Sequence, residues 1–255
     1  MKIASWNVNS LKVRLPQVQD WLTHHQPDAL GLQETKLTDE NFPAEAFSEV
    51  GYHAIFSGQP TYNGVALISR SEPLDIVRGI PDFGDDQKRV IAATVDGVRI
   101  INLYVVNGKA VGSDKFEYKL RWLTAVRAWI TGELSHHQRL VIMGDFNIAP
   151  DDRDVHDPAA WHEKILCSTS EREALQSMLE LGLHDTFRLF DQPDGVYSWW
   201  DYRAAAFRRG MGLRIDLILC SEGLRQACTT SWVDKEPRKH ERPSDHAPVV
   251  AEFAL

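Results

Sequence analysis

The chain has 255 residues, a formal net charge of −8 and three cysteines, Cys167, Cys220 and Cys228. That length suffices for one domain spanning 1–255 with a substantial core, and an odd cysteine number without paired spacing argues against a disulfide framework and for a reducing compartment. No apolar run approaches the roughly 20 residues of a membrane span and no signal core follows Met1, so a soluble, cytoplasmic protein with no membrane partner is expected.

Ile3 to Asn7 reads as a strand. Leu11, Leu15, Val18 and Leu22 keep helical spacing, and the helix runs to about His25, where Pro27-Asp28 breaks it. Ala29 to Leu32 is the next strand, ending in Gln33-Glu34-Thr35-Lys36. Phe42 to Phe47 reads as a short helix. Tyr52 to Phe56, Gly64 to Ser69 and Leu74 to Val77 read as antiparallel strands, with hairpin chemistry at Thr61-Tyr62-Asn63-Gly64. Val90 to Val95 and Val98 to Tyr104 form a hairpin around Asp96-Gly97. The longest helix covers about Ser113 to Leu134. Val141 to Asp145 is a buried strand that runs into Gly144-Asp145-Phe146-Asn147. Asp151 to Cys167 is polar and irregular. A helix near Glu171 to Leu181 precedes Leu183 to Thr186, and strands are expected at Val196 to Asp201, Leu213 to Cys220 and Ala247 to Phe253. The recurring strand-helix-strand order suggests two sheets packed face to face with helices outside.

Polar residues recur at strand ends: Asn7, Glu34, Tyr104, Asp145 with Asn147, Asp216, and Ser244-Asp245-His246. Each has a bland reading by itself. Asp145-Phe146-Asn147 reads as a turn bonded to its own backbone, Glu34 as a salt-bridged surface residue, Tyr104 as a core aromatic and His246 as a loop histidine. Asp216 inside an apolar strand is less comfortable, because a buried carboxylate needs a partner or a shifted pKa. If the strands lie side by side, the tips meet on one rim. Glu34, Asp245, Asn7 and Asn9 are hard oxygen donors suited to Mg2+, with Mn2+ as a substitute. A histidine beside a carboxylate, a metal and an Asp-x-Asn tip together fit attack of water on a phosphodiester.

Six segments carry a resemblance: Trp-Asn-Val-Asn-Ser at 6–10, Leu-Gln-Glu-Thr-Lys at 32–36, Gly-Asp-Phe-Asn at 144–147, Ser-Trp-Trp-Asp-Tyr-Arg at 198–203, Gly-Leu-Arg-Ile-Asp at 212–216 and Ser-Asp-His-Ala-Pro at 244–248. In this order they resemble the exonuclease III family, the DNA-repair branch of the endonuclease/exonuclease/phosphatase superfamily. The resemblance implies a four-layered α/β sandwich of DNase I type and a Mg2+-dependent DNA phosphodiesterase. Such an enzyme cuts 5′ to abasic sites, removes 3′ blocking groups or degrades 3′ ends stepwise. It implies Glu34 as principal metal ligand, with Asn7, Asn9 and Asp245 completing or neighbouring the site. Asp145 would orient or deprotonate the water, Asn147 would hold the phosphate, and Tyr104 would contact it. His246 would face a non-bridging oxygen, paired with Asp216 or Asp245. Trp199, Leu213 and Ile215 would wall a pocket for a flipped abasic sugar. Tyr62 and Asn63 lie on a turn that touches DNA in relatives. Arg203, Arg208 and Arg209, with Lys36, Arg14, Lys115 and Lys119, would grip backbone phosphates. The implied partner is double-stranded DNA with abasic sites, nicks, gaps or blocked 3′ ends, bound by a monomer near the nucleoid.

Two places depart from the family pattern. Val106 stands where relatives carry proline two residues after Tyr104, and the excursion from His156 to Cys167 differs near the pocket mouth. A bulkier lip there would favour gaps and 3′ ends over internal abasic sites. A superfamily relative acting on inositol phosphates, sphingomyelin or RNA ends would share the metal and Asp-His features. The 198–203 and 212–216 segments argue against it.

Overall fold

Gly31 sits in a strand because nothing larger fits there. A Cβ at that position would lie 2.7 Å from Met143 Cε and 2.9 Å from Asn102. This close approach joins two six-stranded sheets, and two further strands form a ribbon outside them. A computed structural model describes residues 1–255. The strands are β1 Lys2–Asn7, β2 Ala29–Gln33, β3 His53–Ser57, β4 Val65–Ser69, β5 Leu74–Arg78, β6 Val90–Val95, β7 Val98–Tyr104, β8 Leu140–Asp145, β9 Leu183–Asp185, β10 Trp199–Trp200, β11 Gly212–Leu213, β12 Asp216–Ser221, β13 Cys228–Val233 and β14 Val249–Phe253. The helices are α1 Leu11–His25, α2 Ala44–Ser48, α3 Asp114–His136, α4 Pro158–Trp161, α5 Thr169–Leu179 and α6 Glu222–Arg225.

One sheet has the order β13-β14-β1-β2-β4-β3 and the other β5-β6-β7-β8-β12-β9. Their inner faces share a core that includes Ile3, Leu67 and Ala251 from the first and Ile91, Val141 and Ile218 from the second. Val18, Trp21 and Leu22 of α1 and Phe47 of α2 cover the outer face of the first sheet. Trp122, Val126 and Ile130 of α3, with Leu175 and Met178 of α5, cover the second. The four-layered α/β sandwich expected from the sequence is the observed architecture.

Strand register explains why the polar tips meet. β1 and β2 are parallel, with Asn7 opposite Gln33, so Asn7 and Glu34 leave the same edge. β7 and β8 are parallel, with Tyr104 opposite Asp145. β12 runs antiparallel to β8 and starts at that edge, Asp216 opposite Asp145. β14 runs antiparallel to β1, so the loop before it, carrying Asp245 and His246, reaches the same rim.

A buried polar cluster pins the two sheets behind this rim. Asn102 of β7 crosses the interface and donates to the carbonyls of Leu32 (3.0 Å) and Ala66 (2.8 Å). Gln33 Nε2 donates back to Asn102 Oδ1 (2.6 Å) and to Ser5 Oγ (2.9 Å).

Several expectations need correction. The long strand expected from Leu213 to Cys220 is broken at Arg214-Ile215. Gly212–Leu213 pairs with Trp199–Trp200 in a ribbon outside both sheets, and the core strand begins only at Asp216. The break has a cause: Arg214 is turned into a buried ion pair with Asp154 (2.6 Å) and Asp185 (2.7 Å). The expected strand from Val196 to Asp201 shrinks to the same short ribbon. β5 pairs with β6 in the second sheet, not with the preceding strand β4, which belongs to the first. β13 had no sequence signal; its Thr-Thr-Ser centre carries no clear alternation on a sheet edge.

Replacing Asn102 by Ala removes the shortest partner of the Gln33 amide and the side-chain donor to two carbonyls in the seam. Urea unfolding is expected to show a loss of about 3 kcal/mol, well above an ordinary surface substitution.

Candidate active site

Asn7 is the link between the sheets at the rim. Its Nδ2 donates to Glu34 Oε1 (3.0 Å) on its own sheet and to Asp145 Oδ2 (2.9 Å) on the other. Its Oδ1 accepts the Asn9 amide (3.0 Å), which fixes the following turn. Glu34 itself is in the left-handed region, φ 51°, so its carboxylate is turned off the line of β2. Asp145 is buried. Its Oδ1 accepts from the Asn147 backbone (2.9 Å), which is the local turn expected for Asp-x-Asn, while Oδ2 faces the rim. The turn and the site are therefore the same structure.

His246 Nδ1 donates to Asp216 (2.9 Å to Oδ2), which resolves the alternative between Asp216 and Asp245 as its partner. Its Nε2 points toward Asp145 Oδ2, 3.8 Å away. Glu34, Asp145 and His246 bring one potential ligand atom each within 4.8 Å of one another. Burial works against a charged imidazole, but the carboxylates of Asp216, Asp145 and Asp245 outweigh it and lift His246 to about 10. Burial raises Asp145, opposed by His246 and reinforced by Asp216. Burial with Glu34 and Asp145 nearby raises the Tyr104 phenol well above its usual range, so it remains a donor. Arg89 stacks over its ring at 4.7 Å.

Asn147 Nδ2 donates to the Val105 carbonyl (3.0 Å) and Asp145 Oδ2 (3.2 Å), and Asn107 Nδ2 donates to Asn147 Oδ1 (3.1 Å). Asp245 sits one step outward, taking Asn9 Nδ2 on Oδ1 (3.0 Å) and Trp199 Nε1 on Oδ2 (3.0 Å). Burial would raise Asp245, but His246, Trp199 and Asn9 hold it below the usual carboxylate range.

Two serines complete the site, neither assigned a role from the sequence. Ser198 Oγ donates to Asp216 Oδ2 (2.6 Å) and accepts the amides of Ile215 and Asp216 (3.0 Å each). Ser244 Oγ donates to the Asn7 carbonyl (2.7 Å) and accepts the His246 amide (3.2 Å). Both stand inside segments quoted above, yet a serine in a loop carries no pattern of its own.

The comparisons with known proteins agree with this geometry. The profile described as the Endonuclease/Exonuclease/phosphatase family matches residues 4–246. The chain belongs to this family. It is 37% identical over 266 residues to exodeoxyribonuclease III of Haemophilus influenzae, covering 99% of this chain and 100% of that one. Among solved structures, the 3′ phosphatase NExo from Neisseria, bound to a product DNA hairpin, is similar at 53% identity and TM-score 0.98, with full coverage of both chains. An AP endonuclease from Archaeoglobus fulgidus is similar at 38% identity and TM-score 0.97, again with full coverage of both.

The outer residues divide. The apolar wall of this endonuclease/exonuclease/phosphatase chain is closed: Leu213 and Ile215 are 0% and 1% exposed. Leu166 and Cys167, with Ile165 and Trp161, pack against them and against Trp199. Tyr62 is exposed on its turn, whereas Asn63 is buried with its amide on Gln59 (3.1 Å) and Gln87 (3.3 Å). Arg203, Arg208, Arg209 and Lys115 are exposed. Lys119 is corrected from a surface grip to an internal tie, and half-buried Arg14 is occupied by bonds within the chain. Lys119 is fully buried. Arg14 donates to the carbonyls of Asn9 and Pro243 and to Tyr202 Oη.

His246 gives a pH prediction. Its folded pKa lies above the unfolded value, so its stabilising contribution is full below about 6.5 and is lost as pH rises toward about 10. In proton NMR with EDTA present, its ring is expected to show no titration step at the ordinary histidine value. In Asp216→Asn the step moves down, and a wild-type ring that titrates normally contradicts the assignment.

Proposed function

We propose that this chain is a Mg2+-dependent DNA-repair phosphodiesterase of exonuclease III type, working chiefly at 3′ ends of double-stranded DNA. The observation that carries the reading is the unbroken polar chain from Glu34 through Asn7 to Asp145, faced by a buried imidazolium that Asp216 holds. As a family member the chain is a divalent-metal-dependent hydrolytic nuclease.

Glu34 is the principal ligand, with Asn7 beside it and Asn9 and Asp245 neighbouring. The donor set fits a hard cation, and the Lys36 ammonium already lies 3.0 Å from Glu34 Oε2, so positive charge is accommodated at that oxygen. Bound there, Mg2+, or Mn2+ in its place, supplies charge to the phosphate oxygens and lowers the pKa of water. The protein's own groups do the rest. Asp145, raised by burial and held by Asn7 and the Asn147 amide, orients the water and accepts its proton. His246 presents a charged Nε2–H to a non-bridging oxygen, and Asp216 keeps the ring oriented. Tyr104 donates its phenolic proton toward the same phosphate, and Asn147 holds it by turning to the phosphate the N–H that otherwise meets Asp145 Oδ2 at 3.2 Å.

The preference for 3′ ends is supported by the lip. A pocket for a flipped sugar needs space beside Trp199, Leu213 and Ile215, and Ile165, Leu166 and Cys167 occupy the wall there. Nicks, gaps and 3′-phosphates place the scissile phosphate at the rim without that pocket. Tyr62 and the exposed arginines contact the duplex backbone. The enzyme acts as a monomer in the cytoplasm, associated with the nucleoid through DNA; no helix is long and apolar enough to cross a membrane.

Two labelled duplexes test this, one with an internal abasic site and one with a 3′-phosphate at a gap, each with Mg2+ and with EDTA. Metal-dependent release of phosphate much faster than incision is expected. Faster incision makes the chain a broad abasic endonuclease, and inactivity on both removes the DNA reading. Asp145→Asn is expected to lower turnover by about 10³-fold or more with circular dichroism unchanged.

A further inference from the structure

Lys119 lies in α3, fully buried, beneath the turn that carries Asn147. Its three N–H donors meet acceptors on three separate segments: the Asn107 carbonyl (3.2 Å), the Asn147 carbonyl (2.7 Å) and Glu171 Oε1 (2.5 Å). Glu171, equally buried in the first turn of α5, is as fully used. Oε1 also accepts from Leu166 N (3.1 Å), and Oε2 accepts from Ser168 N (3.1 Å) and Ser168 Oγ (2.6 Å).

A buried ion pair adds little stability over apolar side chains of the same volume, so packing does not account for this one. An apolar pair would fill the space and leave the two carbonyls and two amides without partners. What the ion pair adds is a fixed spacing between the lip, the 105–108 loop and the Asn147 turn. Gly108 gives an independent sign of that spacing. Its φ is +92°, and a Cβ there would lie 2.9 Å from Ile165 Cδ1 and 3.1 Å from Lys119 Cδ. Lip, loop and lysine stem touch with no room for a methyl group.

We propose that Lys119 and Glu171 are positioning residues that couple the lip at 164–168 to the Asn147 turn, so that a substrate seated against the lip sets the geometry of the phosphate-facing amide. Neither residue touches the substrate, and the proposal rests on the role of Asn147 given above. The coupling runs through hydrogen bonds at both ends of the pair and through the Ile165–Gly108 contact.

The test uses Lys119→Met and Ser168→Ala in the full chain with Mg2+. Deuterium exchange is read over 145–149 and 164–168, alongside kinetics on a gapped duplex with a 3′-phosphate. Lys119→Met is expected to speed exchange in both segments and to lower kcat about tenfold with KM within about twofold. Ser168→Ala cuts the lip end and the α5 cap but leaves the bond from Lys119 to the Asn147 carbonyl in place, yet exchange at 145–149 should rise and kcat should fall. Protection lost only around the substituted residue, or an unchanged kcat with both segments loosened, overturns the proposal. If Lys119→Met does not fold, Ser168→Ala decides alone. Failure of the Asn147 role itself reads differently: Asn147→Ala would then keep its turnover while exchange still reported the coupling.

Discussion

The relative placement of the two sheets is the constraint on which the site depends. Neither sheet carries a complete site. Asn7, Glu34 and the His246 loop belong to one, and Tyr104, Asp145 and Asp216 to the other. Apolar packing between the sheets is strong but indifferent to sliding. The hydrogen bonds of Asn102 to Leu32 and Ala66, and of Gln33 to Asn102 and Ser5, are directional and unavailable after a shift. They lie immediately behind the rim, where a shift would matter most. Gly31 belongs to the same device, because its missing side chain lets Asn102 come close.

The charges at the rim follow the same economy. Three carboxylates, Asp145, Asp216 and Asp245, surround one imidazole, which carries the positive charge. Every oxygen of Asp145 and Asp245 has a hydrogen-bond donor, from Asn7, Asn9, Asn147 or Trp199. Amides thus do much of the work of holding carboxylates in place while leaving net charge to be balanced from outside. This accounts for the abundance of asparagine at the strand tips.

Much of this was legible in the sequence, and for identifiable reasons. Period-3.6 and apolar runs located α1, α3 and most core strands to within a residue or two. Polar residues at the ends of apolar strands marked the site, because a strand end is where burial stops and chemistry can face solvent. What escaped was decided by tertiary contact. Arg214 breaks an apparently continuous strand only because Asp154 and Asp185 wait for it across the fold. Lys119 looks like a surface lysine on a helix, and only Glu171, fifty-two positions later, makes it internal. Ser198 and Ser244 act through backbone amides that no side-chain pattern advertises. The closed apolar wall depended on where the irregular stretch from 151 to 167 folds back, which local signals do not determine.

The short ribbon of β10 and β11 carries two duties on neighbouring residues. Ser198 steadies the carboxylate behind the imidazole, and Trp199 beside it contacts both Asp245 and the apolar wall. Across the ribbon, Leu213 lines the wall two residues before the amide that Ser198 also binds. A lineage that reshaped the wall to admit a new lesion by altering this ribbon would disturb the imidazole at the same time. The 151–167 excursion is tied at both ends, by Asp154 to Arg214 and by Leu166 to Glu171. Its exposed middle at 157–160 has no such tie to Asp216, and substrate range in such a scaffold diversifies there while the ribbon stays still.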